Sequence, residues 1–239
     1  MVRVEQLQVR YRNGALGAVA VDLHVHAGEL VALFGANGAG KTTTMRAISG
    51  FLHSERARVS GVVEVLGRRV TGWEPHRVTA LGLAFVPERR KIFPNLSVAD
   101  NLASVGRSPS RARRGELLER VVAMFPVLQR RGSELAGRLS GGERQMVAIA
   151  RGLMSEPKVL IVDELTLGLH HSLHETLYQT MRTIADTGTA VIVVDESTGT
   201  ALEFVDRCYL LSTGRVKDSG TPEKFRGSEL LAAGYVEAS

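Results

Sequence analysis

The chain has 239 residues, 44% hydrophobic and 23% charged, with a formal net charge of +5: enough for one α/β domain carrying an inserted subdomain around a buried core. A single cysteine, Cys208, excludes an internal disulfide and fits a reducing compartment. The most apolar runs, 159–162 and 190–194, fall far short of the roughly 18 residues of a membrane-spanning helix, and the N-terminus alternates like a strand instead of showing a signal peptide's apolar core.

Taken in chain order, residues 2–11 and 18–26 read as strands joined by a polar, glycine-containing turn. Residues 29–34 form a short buried strand. It runs into a glycine-rich loop, 35–40, and then a helix from Lys41 to about Gly50. A hairpin is expected over 59–70 and another short strand over 82–87, ended by Pro87. Residues 89–157 are arginine-rich and helix-patterned, without clear strands. The basic run RSPSRARR at 107–114 lies among them and reads as a solvated loop, so no nucleic-acid partner is expected. A buried strand (158–163), a helix (171–187), a strand (189–194), a short helix (197–203) and a strand pair (205–219) complete the chain. Strands alternating with helices predict a parallel α/β sheet. The division expected is a core from 1–88 and 158–239, interrupted by a helical subdomain over 89–157.

Gly35-Ala36-Asn37-Gly38-Ala39-Gly40-Lys41-Thr42 fits G-x-x-x-x-G-K-[ST] and sits between a strand and a helix, where that motif must sit. Glycines let the backbone N–H groups converge on phosphate oxygens, and the helix that follows adds unpaired N–H groups and the positive end of its dipole. Lys41 brings a point charge to the outer phosphates, the Thr42 hydroxyl a ligand for Mg²⁺, and Thr43 a further phosphate contact. Downstream, four apolar residues at 159–162 deliver Asp163 and Glu164 to the carboxyl edge of the sheet, where nucleotides bind in open α/β folds. Asp163 is expected to serve Mg²⁺ through a bridging water or from behind its direct ligands, and Glu164 to act as the base on an attacking water. Finally, Leu139-Ser140-Gly141-Gly142-Glu143 opens a helix as an S-x-x-E capping box whose two glycines leave the helix start open to an anion.

Together these motifs resemble the ATP-binding cassette (ABC) family, of which LSGG is the signature, and the likeness runs over essentially the whole chain. The resemblance implies a P-loop NTPase (RecA-like) core with an antiparallel β subdomain and an inserted α-helical subdomain. It also implies an ATPase that pairs head to tail with a second ATPase subunit, the same chain or a sister. The signature residues Ser140, Gly141 and Gly142 of one subunit would then close over ATP held by the other's phosphate loop. Tyr11 matches the aromatic residue that stacks on adenine. The FVPE of 85–88, IFPNLSV of 92–98, Asn101-Leu102, Phe125-Pro126, Leu135-Ala136-Gly137 and Leu167-Gly168-Leu169 look like the ATPases of branched-chain amino-acid importers and their urea and amide relatives. There Glu88 stands where most ABC proteins carry a glutamine that touches Mg²⁺, and the 88–102 region would meet the membrane permease, placing the chain in the cytoplasm on the inner face of the membrane.

Three positions depart from the family pattern. Leu165 replaces the usual proline after Glu164, Glu196 stands at the switch-histidine position, and His170 lies near the usual aspartate of the loop that signals across the dimer. An ionised carboxylate at 196 cannot donate a hydrogen bond to a γ-phosphate and would repel it. Two functions therefore stay open: a transport ATPase for amino acids or related solutes, and a hydrolysis-poor or non-transport ATPase that dimerises on nucleotide. A GTPase leaves the signature unexplained and lacks N-K-x-D. His170 and His174, four apart, could share a helix face as metal ligands, but with no third ligand nearby a solvated or interface face is the better reading.

Overall fold

The structure, a computed structural model, describes residues 1–89, 91–105, 110–196 and 199–226. Its strands in chain order are β1 (Val2–Arg10), β2 (Leu16–Val25), β3 (Leu30–Phe34), β4 (Arg58–Val65), β5 (Arg68–Arg69), β6 (Leu83–Val86), β7 (Val159–Val162), β8 (Ala190–Val194), β9 (Arg207–Ser212) and β10 (Arg215–Gly220). The helices are α1 (Lys41–Ile48), α2 (Pro75–Leu81), α3 (Val98–Ala103), α4 (Arg111–Met124), α5 (Pro126–Arg130), α6 (Gly141–Leu153), α7 (Ser172–Asp186) and α8 (Pro222–Phe225).

One sheet runs β5-β4-β1-β2-β10-β9-β3-β8-β7-β6. Strands β9, β3, β8, β7 and β6 pair parallel, whereas β2, β1, β4 and β5 pair antiparallel. The two halves read differently in sequence because they are covered differently. In β1, buried Val2, Val4, Leu7 and Val9 alternate with more exposed residues, as expected for a strand with one face in a core. Strands β3, β7 and β8 are apolar throughout because both faces are buried.

Leu30, Ala32, Phe34, Leu160, Val162, Val191 and Val193 pack on one side against α4, α6 and α7 residues such as Leu117, Val147 and Tyr178. Val31, Leu33, Ile161, Ile192 and Val194 pack on the other against Met45 and Ile48 of α1 and the valines of β1 and β2. This α/β core with an antiparallel β portion agrees with the expected fold class. No helix among the described residues is long and apolar enough to cross a membrane.

Registers Leu33↔Val194, Val162↔Val193 and Val86↔Val162 line up the carboxyl ends of β3, β8, β7 and β6. The loops that follow these strands therefore share one edge, and they carry the chemistry read from the sequence.

Some elements differ from expectation. Helix α2 was not anticipated, although Pro75 at its first turn is a helix-start signal. The short helix expected at 197–203 is a 3-10 turn, Thr200–Glu203, and Ser197 and Thr198 lie outside the described residues. Within 89–157 an isolated antiparallel bridge joins Ser97 to Leu135 between the helices. Part of the basic 107–114 run, residues 107–109, also lies outside the described residues.

Candidate nucleotide site

The loop 35–40 leaves β3 and enters α1 at Gly40, whose φ of 99° is open to glycine alone without strain. A Cβ there would fall 2.4 Å from the Gly17 carbonyl oxygen, so close backbone approach as well as handedness demands the glycine. No side chain caps α1, which leaves the N–H groups of its first turn and the positive end of its dipole directed at the loop. Lys41, 4% exposed, reaches back to donate to the carbonyls of Gly35 (2.6 Å) and Ala36 (3.2 Å). Ala36 and Ala39 are buried, whereas Asn37 and Gly38 are exposed at the loop tip. Tyr11 lies beside the start of α1, its hydroxyl 2.9 Å from Thr43 Oγ1.

Strand β7 ends one residue before Asp163. The Asp163 N–H donates to the Val86 carbonyl (2.9 Å), tying the β7 end to β6, and Thr42 Oγ1 donates to Asp163 Oδ1 (3.2 Å). Asp163 Oδ2 is buried without a hydrogen-bond partner. Burial is the main cause that pushes the Asp163 carboxyl up to about 6, opposed by the Thr42 hydrogen bond and reinforced by the nearby charge of Glu88. Glu88 itself is half-buried and pairs with Arg89 (3.1 Å).

Glu164 adopts φ 53°, a left-handed conformation that costs a non-glycine residue about 1 kcal/mol. The turn directs its carboxylate to within 3.9 Å of Lys41 Nζ, with the Glu164 side chain 7% exposed and Oε2 unpartnered. Burial pushes this carboxyl up to about 7. Lys41 opposes the shift, while Asp163, Asp195 and Glu196 add to it.

Leu165, where the family pattern has proline, is fully buried, and its N–H donates to the Val194 carbonyl (3.2 Å). Glu196 is half-buried at the end of β8, and its N–H donates to Asp195 Oδ1 (2.9 Å). The edge of the sheet thus gathers Lys41, Thr42, Asp163 and Glu164, with Glu88 and Glu196 near enough to act on the carboxylates electrostatically.

The signature stands apart from this group. Ser140 Oγ accepts from the Glu143 N–H (3.2 Å) and Glu143 Oε2 accepts from the Ser140 N–H (2.8 Å), a complete capping box. That hydrogen bond is the largest cause holding the Glu143 carboxyl below its usual value. The box uses the N–H groups of Ser140 and Glu143 and no N–H of Gly141 or Gly142. Gly142 is buried, and a Cβ on it would fall 2.4 Å from Leu173 Cδ1 of α7. Among the described residues no hydrogen bond joins Ser140, Gly141 or Gly142 to the phosphate loop of the same chain.

The histidines lie at the start of α7. Helix α7 begins at Ser172, so His170 precedes it and does not share a helix face with His174. His170 Nδ1 pairs with Ser172 Oγ (2.9 Å), and the His171 and His174 rings lie 4.6 Å apart. Among the described residues no group of histidine, cysteine, aspartate and glutamate side chains is placed to hold a metal without nucleotide.

Asp195 was not anticipated as part of this region. It is 2% exposed and accepts from Thr166 Oγ1 (2.6 Å) and the Tyr178 hydroxyl (3.0 Å). Its signal was present: an apolar run closing on two carboxylates, the same pattern as 159–164.

The family model described as ABC transporter matches residues 19–167. The high-affinity branched-chain amino acid transport ATP-binding protein BraG of Pseudomonas aeruginosa is 36% identical over 82% of this chain and 82% of its own length. A probable branched-chain amino acid transport ATP-binding protein LivF of Archaeoglobus fulgidus is 32% identical over 99% of this chain and 100% of its own. A crystal structure of a nucleotide-free ATP-binding cassette from an ABC transporter superposes with a TM-score of 0.84 at 22% identity, covering 98% of each chain.

Proposed function

The chain belongs to the ABC transporter family, and from that premise we propose that it is the ATP-hydrolysing subunit of an importer for branched-chain amino acids or related small solutes. One observation carries the reading: an uncapped helix behind a phosphate loop shares a sheet edge with a buried Asp163-Glu164 pair whose Glu164 faces Lys41. Phosphoryl transfer to water asks a protein for positioning and charge neutralisation more than for covalent chemistry, and this arrangement supplies both.

The N–H groups of 35–42 and the Lys41 ammonium hold the phosphates of ATP, Thr43 adds a contact, and Tyr11 offers its ring to the adenine. The residues fit Mg²⁺: a hard cation takes oxygen ligands, and Asp163 Oδ2 is a buried carboxylate oxygen without a partner. Thr42, Asp163 and Glu88 would hold it, and it would neutralise charge on the terminal phosphates. Glu164 accepts the proton of the attacking water. Ser140, Gly141 and Gly142, separate from the phosphate loop of their own chain, bind the γ-phosphate on a second ATPase subunit, identical or sister. Closure of that pair moves a permease that contacts the 88–102 region from the cytoplasmic face of the membrane. Phe93 and Leu96, 48% and 39% exposed, supply that contact with apolar surface.

A second reading, a hydrolysis-poor ATPase that binds nucleotide and dimerises, is favoured by one observation. Glu196 adds a carboxylate beside Glu164, and its charge helps to hold the Glu164 carboxyl high.

Mg-ATP hydrolysis by the purified chain separates the two. Turnover well above that of Glu164→Gln supports the transport motor; tight ATP binding without turnover, restored by Glu196→His, supports the second reading. Uptake of labelled leucine by cells deleted for the chain tests the solute class, and unchanged uptake removes branched-chain amino acids.

A further inference from the structure

Two loops at the nucleotide edge are fastened to each other from behind. One follows β7 and carries Glu164, Leu165 and Thr166; the other follows β8 and carries Asp195 and Glu196. Between them lies the Asp195 carboxylate, 2% exposed, which accepts three hydrogen bonds. Thr166 Oγ1 and the Tyr178 hydroxyl donate to Oδ2 at 2.6 and 3.0 Å, and the Glu196 N–H donates to Oδ1 at 2.9 Å. With the Thr166 bond, the Leu165 N–H makes a second direct link from loop to loop, donating to the Val194 carbonyl at 3.2 Å, a bond that proline cannot make. Tyr178 comes from neither loop. It stands in the middle of α7, 1% exposed, with its ring stacked near Phe204 at a 14° interplanar angle.

A fully buried phenol needs a partner for its hydroxyl, and a phenylalanine would fill the same space without one. The hydroxyl is spent on the carboxylate that sets the backbone of Glu196. Resting on the ATPase reading above, we propose that Tyr178 is a positioning residue for hydrolysis: through Asp195 it fixes the start of the segment carrying Glu196 in register with the loop carrying Glu164. Packing of α7 against the sheet thereby reaches the site through one hydrogen bond. The same helix faces the signature glycine Gly142 through Leu173, so α7 touches both halves of the nucleotide machinery within one chain.

Tyr178→Phe tests the proposal, because it keeps the ring and its packing and removes only the hydroxyl. Two measurements are made on the purified full chain. Amide hydrogen exchange without nucleotide is expected to quicken at Leu165 and Glu196 by tenfold or more, with α7 itself unchanged. Steady-state Mg-ATP hydrolysis is expected to show kcat reduced about tenfold with KM for ATP within twofold of wild type, a split that general destabilisation does not produce. Asp195→Asn, which keeps the shape and weakens acceptance, should show the same split, and Tyr178→Phe should add little to it. Unchanged exchange at Glu196 in Tyr178→Phe overturns the proposal, as does kcat equal to wild type or a parallel change in kcat, KM and melting temperature. A wild-type chain without turnover overturns the transport-motor reading instead, and the exchange at Glu196 then decides the fastening on its own.

Discussion

The Lys41 ammonium lies 3.9 Å from a carboxylate oxygen of Glu164, and the two side chains are 4% and 7% exposed. The pair joins the phosphate loop to the loop after β7 across 123 positions of sequence, counted from 41 to 164. Lys41 also donates to two loop carbonyls, so its charge is already partnered within the protein.

Lys41→Ala is expected to weaken ATP binding about 10- to 100-fold, the equivalent of one charged hydrogen bond of about 1.5–3 kcal/mol. Titration calorimetry with Mg-ATP measures it, and affinity equal to wild type would remove Lys41 from the site.

Glu164 gives the nucleotide-free protein a stability that depends on pH. Its folded carboxyl is raised to about 7 from the ordinary value of 4.5, so the folded state holds the proton more tightly than the unfolded state. Its contribution is therefore present at low pH, declines from about 4.5 upward, and is fully lost above about 7. The shift corresponds to about 3 kcal/mol as an upper figure. Glu164→Gln, neutral throughout, should raise the melting temperature at pH 8 by several degrees more than at pH 5. An equal effect at both pH values would contradict the assigned burial cost.

Ser140→Ala removes the hydroxyl that accepts from the Glu143 N–H and should destabilise the chain by about 1 kcal/mol, the usual cost of losing an N-cap. Urea unfolding reads the change. Ser140→Asp, which can still cap, should recover most of it.

Gly40→Ala meets both a left-handed φ of 99° and a backbone oxygen 2.4 Å from the new Cβ. The loop must shift, and a loss of about 1–3 kcal/mol together with weakened ATP binding is expected. Wild-type stability and affinity in this variant would show that the turn tolerates a side chain.

Cys208 is fully buried, and burial pushes its thiol up to about 12, far from the reactive thiolate. Maleimide should label it only in denaturant. Mass spectrometry after short exposure of the native chain checks this, and rapid stoichiometric labelling would mean that β9 opens readily.

Local signals made legible the glycine-rich loop before α1, the Asp163-Glu164 strand end, the Ser140-Glu143 capping box and the alternation of strand and helix. Each depends on residues within a few positions of one another: glycines that permit a turn, an apolar run that makes a buried strand, a serine three residues before a glutamate. The sheet order β3-β8-β7 decided the rest. It sets the β8 end between the phosphate loop and Glu164, and so makes Asp195 a hub for Thr166 and Tyr178, 29 and 17 residues away. Sequence alone could not find those partners, because a hydroxyl in an amphipathic helix and one in a loop carry no mark of the carboxylate they will meet. Only packing of α7 against the sheet brings them to hydrogen-bonding distance, and only burial there makes the bonds obligatory.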